Sequence, residues 1–323
     1  MGSISFGSSI LSSILILLLV QNGYGALRKV SSPGELQNAL DTASPGDTIQ
    51  LAPAVFMGDF IASRDGTESS PITVTGDRNS TIISEGTAFT IKGNNWKLKS
   101  FKIMQPSVGV LVEGNGNSLE SLVFQTLGKG IQVKGQGNTI KSCVISDADG
   151  GIYIEADRNN LHYNSINIQA PSIIVEEGTC CGLLDGNVAN GRVDLKGSSY
   201  TLTNNVCNHG MYVTGCENSF KGNVANGASF PKDCQSHDLG GNSYRGLGPN
   251  DTELPVPPGQ QQQQQQQQQG NGNYSPSSAN NQQGGNPQSF PSSSHTQRQT
   301  FPAQVTGSGG SAGRAPQCTC TCV

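Results

Sequence analysis

Charge is scarce in this chain. Of its 323 residues only 13% are Asp, Glu, Lys or Arg, and the formal net charge is −4. That balance excludes the strongly basic surface a nucleic-acid protein needs, but leaves room for a local groove that holds an acidic polymer. Histidine is rarer still: the four residues His162, His209, His237 and His295 stand far apart, so no histidine pair has metal-ligand spacing. Beyond Val20 no stretch approaches 18 consecutive apolar residues, so no membrane span is predicted after the leader. Long helical patterns are also missing.

Short apolar runs separated by Gly/Asn corners fill the middle of the chain. Leu98, Leu119, Ile140 and Leu161 follow one another at intervals of 21 residues. Around them GNNWKLKSFKIMQPSVGVLVE is succeeded by GNGNSLESLVFQTLGKGIQVK, then GQGNTIKSCVISDADGGIYIE, then ADRNNLHYNSINIQAPSIIVE. A period near 20 built from short strands predicts an all-β parallel solenoid, since one unit cannot bury its apolar side alone. Looser repeats continue through Leu184, Leu202, Phe220 and Leu239. Three residues after each later anchor stands Asn164, Asn187, Asn205, Asn223 or Asn242. Stacking should align these into a hydrogen-bonded ladder, with asparagine suited to left-handed backbone at the bend.

The ends differ from the middle. Ile10–Val20 is almost wholly apolar yet too short to span a bilayer, and Gly23-Tyr24-Gly25 offers a small-x-small cleavage site. Residues 1–25 are therefore predicted to be a signal peptide, and the protein secreted to the extracellular space or cell wall. From about Pro249 the composition turns to Gln, Ser, Gly, Asn and Pro, with an unbroken run from Gln260 to Gln269. So little apolar surface predicts a disordered tail over 249–323, leaving a solenoid domain over 26–248.

Nine cysteines suit secretion. Cys216 and Cys234 precede their anchors by four and five residues, which predicts a disulfide between neighbouring coils at one corner. Cys143 and Cys207 occupy inward positions of small core residues. Cys318, Cys320 and Cys322 end the tail two residues apart, a spacing that favours cross-linking to a partner over pairing with each other. Asn79, Asn250 and Asn273 begin N-glycosylation sequons.

Residues 28–77 read RKVSSPGELQNALDTASPGDTIQLAPAVFMGDFIASRDGTESSPITVTGD. ELQNALDTA has helical apolar spacing with Ser32 and Glu35 as a capping pair, so a helix over Glu35–Ala43 is predicted to cover the solenoid's first coil. PGDTIQLAPAVF would then begin that coil. This order resembles the start of right-handed parallel β-helix proteins of the pectin-lyase-like superfamily. The nearest likeness is to the chondroitinase B and alginate lyase group, where a helix cap, a PGDTI-type strand and a GT..SPITV segment occur together. Beyond residue 77 the likeness is only a repeat pattern, to 246. The resemblance implies a secreted protein that cleaves, epimerises or binds an acidic polysaccharide. Catalytic motifs of the wider superfamily do not carry across: there is no NTD, DD or RIK, and Asn208-His209-Gly210 only partly matches GHG.

Registering the coils places polar side chains at the corner before each coil's last strand: Thr126, Lys129, Asp147, Asp149, Gln169, Arg192 and His209. The outward middle position of that strand reads Leu111, Gln132, Tyr153, Ile174, Asp194 and Tyr212. A lyase must neutralise a uronate carboxylate, withdraw the α proton and protonate the leaving oxygen. Lys129, Arg192 and His209 are the catalytic candidates; Tyr153, Tyr212 and Asp194 are candidate substrate contacts. Asp147 and Asp149 are candidate ligands of calcium, the candidate cofactor. Each has a plain alternative: SDADGG is ordinary turn composition, Lys129 and Asp149 suit an exposed ion pair, the tyrosines suit surface strands, and His209 suits a turn cap. Two functions stay open, a polysaccharide lyase-like enzyme and a non-catalytic polysaccharide-binding or structural protein.

Overall fold

The computed structural model describes residues 25–126 and 128–245. The Gln-rich tail, its three cysteines, Asn250, Asn273 and nearly all of the predicted leader lie outside the described residues. The rest is a right-handed parallel β-helix of about ten turns with one short helix. Its coils stack into three parallel sheets. The first runs from Leu27–Val30 to His237–Asp238, the second from Val55–Met57 to Ser243–Arg245, and the third from Phe60–Ala62 to Ala228–Ser229.

Alternation within very short strands builds the core. In each coil the inward residues of the three strands meet, as Leu119, Phe124 and Ile131 do, and then Ile140, Ile145 and Ile152 one coil later; none is more than 1% exposed. The anchor series pairs in register from Leu98 through Leu119, Ile140, Leu161, Leu184 and Leu202 to Phe220. The last predicted anchor is displaced: Phe220 pairs with Asp238, and Leu239 is 46% exposed. Gly240 and Gly241, both at positive φ, lengthen that corner by one residue while Asn242 keeps its ladder place.

The ladder forms, with a different backbone origin from the expected one. Oδ1 of Asn187 accepts from the N–H and Nδ2 of Asn164, and the pattern repeats from Asn187 to Asn205 and from Asn205 to Asn223. The left-handed residues are not these asparagines but those just before them: Tyr163, Gly186, Asn204, Gly222 and Gly241. That single αL residue turns the chain, and the asparagine after it points inward to satisfy the amides the turn frees. A second column follows the same logic at the corner entering the first sheet, where Asn117, Asn138 and Asn159 each accept from the backbone of the preceding coil at 2.7 Å.

Helix α1 spans Pro33–Asp41, two residues earlier than predicted. Proline tolerates the first turn, where its missing N–H has no partner to lose, and Ser32 caps the amide of Glu35. Glu35 reaches back mainly to the backbone N–H of Ser31, at 2.7 Å, one residue before the cap. The first sheet also starts before the helix, because Leu27–Val30 pairs with Thr48–Leu51. Gln37 of α1 donates to the carbonyl of Ile61 and accepts from its N–H. One side-chain amide thus closes the exposed edge of the third sheet, where an open row of backbone groups would invite association.

Candidate functional site

The third sheet carries the predicted outward row in the expected register. Leu111, Gln132, Tyr153, Ile174, Asp194 and Tyr212 occupy equivalent positions on consecutive coils. Lys129 opens its strand opposite Gly150, and its Nζ sits 4.3 Å from the centre of the Tyr153 ring one coil on. Three coils after Lys129, Arg192 repeats the arrangement, its guanidinium carbon 5.5 Å from the centre of the Tyr212 ring. Each pair lays a cation on an aromatic face, an attraction of roughly 0.5–1 kcal/mol when exposed.

The pairs are not equivalent electrostatically. Arg192 Nε meets Asp194 Oδ1 at 2.7 Å, and Asp194 is only 9% exposed. A nearly buried carboxylate needs such a partner, so Asp194 serves the arginine and is not presented to a ligand. Lys129 has no carboxylate within salt-bridge distance among the described residues, and the expected pairing with Asp149 is not formed. Lys129 is the freer cation. Burial, with Glu176, Asp149 and Asp194 nearby, raises the pKa of Tyr153, which keeps its phenol protonated as a hydrogen-bond donor.

His209 places Nδ1 against the carbonyl of Asn190 on the preceding coil. Asp147 adopts φ +55° and, with Asp149, lines an open recess beside Asn167 and Gln169. Among the described residues no three His, Cys, Asp or Glu side chains gather around one point. Calcium takes six to eight oxygens, several from carboxylates, and two aspartates on one turn do not fit that demand. Glu176 and Lys196, on the same sheet's strand ends, form an exposed pair at 2.7 Å worth little.

Cys216 and Cys234 are joined, with α-carbons 5.4 Å apart. Once Asp238 replaces Leu239 as the paired residue, both cysteines stand four before their anchors. Cys143 and Cys207 are buried as expected, and burial pushes both thiols up to about 12. Asn79 is exposed on a turn, its N–H held by Asp77.

Residue spacing did not reveal how the cations couple to the tyrosines. Lys129 and Tyr153, and Arg192 and Tyr212, lie 24 and 20 residues apart. The signal was one coil plus a short offset, visible only once the strands are paired.

No known family model matches the sequence, and no curated protein matches it. Among solved structures, the alginate lyase from Paenibacillus sp. str. FPU-7 superposes with a TM-score of 0.56 at 19% identity, over 69% of this chain and 99% of that one. Pectate lyase Pel9A superposes with a TM-score of 0.57 at 12% identity, over 72% of this chain and 80% of that one. The fold is the right-handed parallel β-helix that these two structures share. At such identities the likeness concerns the fold, and among β-helices of this kind the chemistry must be argued from the site. No helix among the described residues of this β-helix is long and apolar enough to cross a membrane.

Proposed function

We propose that this chain is a secreted β-helix protein that binds an acidic polysaccharide along its third sheet. The observation that supports the reading is the repeated cation–tyrosine pair, Lys129 with Tyr153 and Arg192 with Tyr212. The two pairs stand three coil spacings apart, roughly 14 Å at normal strand separation. That is too far for both cations to act on one uronate, and suits two contacts along an extended chain. Carboxylates of the polymer would meet the cations while sugar faces lie against the rings. The solved structures similar in fold include an alginate lyase and a pectate lyase, which is consistent with an acidic-polysaccharide partner.

A second reading, β-elimination, has one observation in its favour. Lys129 and the protonated phenol of Tyr153 stand together, so a cation to neutralise a uronate carboxylate and a proton donor for the leaving oxygen would meet one sugar. Purified protein incubated with pectate, alginate and chondroitin separates the two. Binding by affinity electrophoresis without new absorbance of unsaturated product supports the binding protein; product formation abolished by Lys129→Ala supports the lyase. The double variant Lys129→Ala with Tyr212→Ala should weaken binding at least tenfold, both side chains being accessible. Unchanged binding in that variant would place the groove on another face.

A further inference from the structure

The repeat is broken by one large residue. The left-handed position before the inward ladder is filled by Ser100, Ser121 and Ser142, then by Tyr163, then by Gly186, Asn204 and Gly222. A bulky aromatic at φ +53° is a costly choice, and such outliers persist where the residue has a use. Tyr163 is nevertheless 60% exposed, so burial does not account for it.

Its surroundings hold the ring still. A β-carbon added at Gly186 would come within 2.4–2.5 Å of ring atoms of Tyr163, so the next coil's glycine makes the seat on which the ring lies. The phenol engages Asp185, which is itself held by the Thr203 hydroxyl at 2.5 Å. His162 faces the same carboxylate at 3.8 Å. One side of the ring is thereby fixed and much of the rest is open to solvent.

Beside it runs a recess on the first sheet lined by Lys97, Glu120, Thr139, Lys141, His162 and Tyr163. Glu120 is occupied by Lys99 at 3.9 Å and Ser118 at 3.2 Å. Lys97 and Lys141 have no carboxylate within salt-bridge distance among the described residues. From Lys97 to His162 the recess crosses three coil spacings, about 14 Å. A seated aromatic face next to two unneutralised lysines is the chemistry of an acidic sugar chain, stacked through a ring face and held by its carboxylates.

We infer that this face of the first sheet is a second, non-catalytic site for an acidic oligosaccharide, with Tyr163 as its platform and Lys97 and Lys141 as its carboxylate contacts. The inference takes its ligand class from the function proposed above, but stands on different residues and a different sheet.

Short oligogalacturonates and oligoguluronates, titrated by calorimetry and followed by amide chemical shifts, test it. The wild type should show two sites. The third-sheet variant Lys129→Ala with Tyr212→Ala should retain one, with shifts confined to residues near Tyr163. Adding Tyr163→Ser and Lys141→Ala should weaken that remaining site at least tenfold; serine already fills this corner in three coils, so the fold and Tm should hold. A third-sheet variant with no residual binding, or residual binding indifferent to Tyr163→Ser, overturns the second site alone. A wild type that binds neither sugar overturns both sites together.

Discussion

Asn187 Nδ2 donates to Asn205 Oδ1 at 3.0 Å and to the carbonyl of Leu161 at 3.0 Å, while Asn187 Oδ1 accepts from Asn164. One buried carboxamide therefore ties together three coils. Upstream the same place is filled by Phe101, Leu122 and Cys143, so the corner uses apolar filling in its first half and amide pairing in its second.

Asn187→Leu tests the amide half. It strips the Asn164 backbone and side-chain donors of their acceptor and leaves the Leu161 carbonyl without its donor. Each orphaned buried group costs about 1–3 kcal/mol, so a loss of at least about 3 kcal/mol is expected in urea unfolding. A loss below about 1 kcal/mol would mean water replaces the ladder.

Ile140 is fully buried between Leu119 and Leu161. Ile140→Asp would put an unpaired carboxylate between two buried leucines. Loss of the cooperative thermal transition is expected, and retained native Tm would show that the register is wrong.

Arg192→Ala leaves the nearly buried Asp194 carboxylate without its partner. Because the arginine side chain is half exposed, the expected cost is about 1–2 kcal/mol, below that of a fully buried pair. Adding Asp194→Asn should restore most of it. If the double variant is no more stable than the single one, the arginine acts through packing on Tyr212 instead of charge.

Asp185 titrates low. The Thr203 hydroxyl, then Tyr163, Asn204 and His162, outweigh the opposing effect of burial and hold its pKa below the ordinary 3.8. A depressed carboxylate contributes stability that is fully present above its unfolded pKa and lost as pH falls through its lower folded value. The Tm difference between wild type and Asp185→Asn should thus be constant from pH 7 to about pH 5 and shrink below about pH 4. A difference independent of pH down to pH 2 would show that the hydrogen bonds do not need the charge.

The repeat made the solenoid legible because stacking demands the same inward residue at the same interval, as Leu98 to Leu161 display. Its register also carried Cys216 to Cys234 and the outward row from Leu111 to Tyr212. The bounds of α1 and the last anchor were less legible, since a proline at a helix start and an extra glycine in a corner shift position without disturbing the pattern.

Contacts between coils are another matter. Composition and spacing determined that this chain is a β-helix poor in charge, with its polar residues on corners and outward strand positions. Only the tertiary structure decided that Lys129 lies over Tyr153, that Arg192 is committed to Asp194, and that Gly186 seats the ring of Tyr163. The physical reason is reach: periodicity sets which face a residue occupies, whereas side-chain partners depend on distances of a few ångströms between coils some 20 residues apart in sequence.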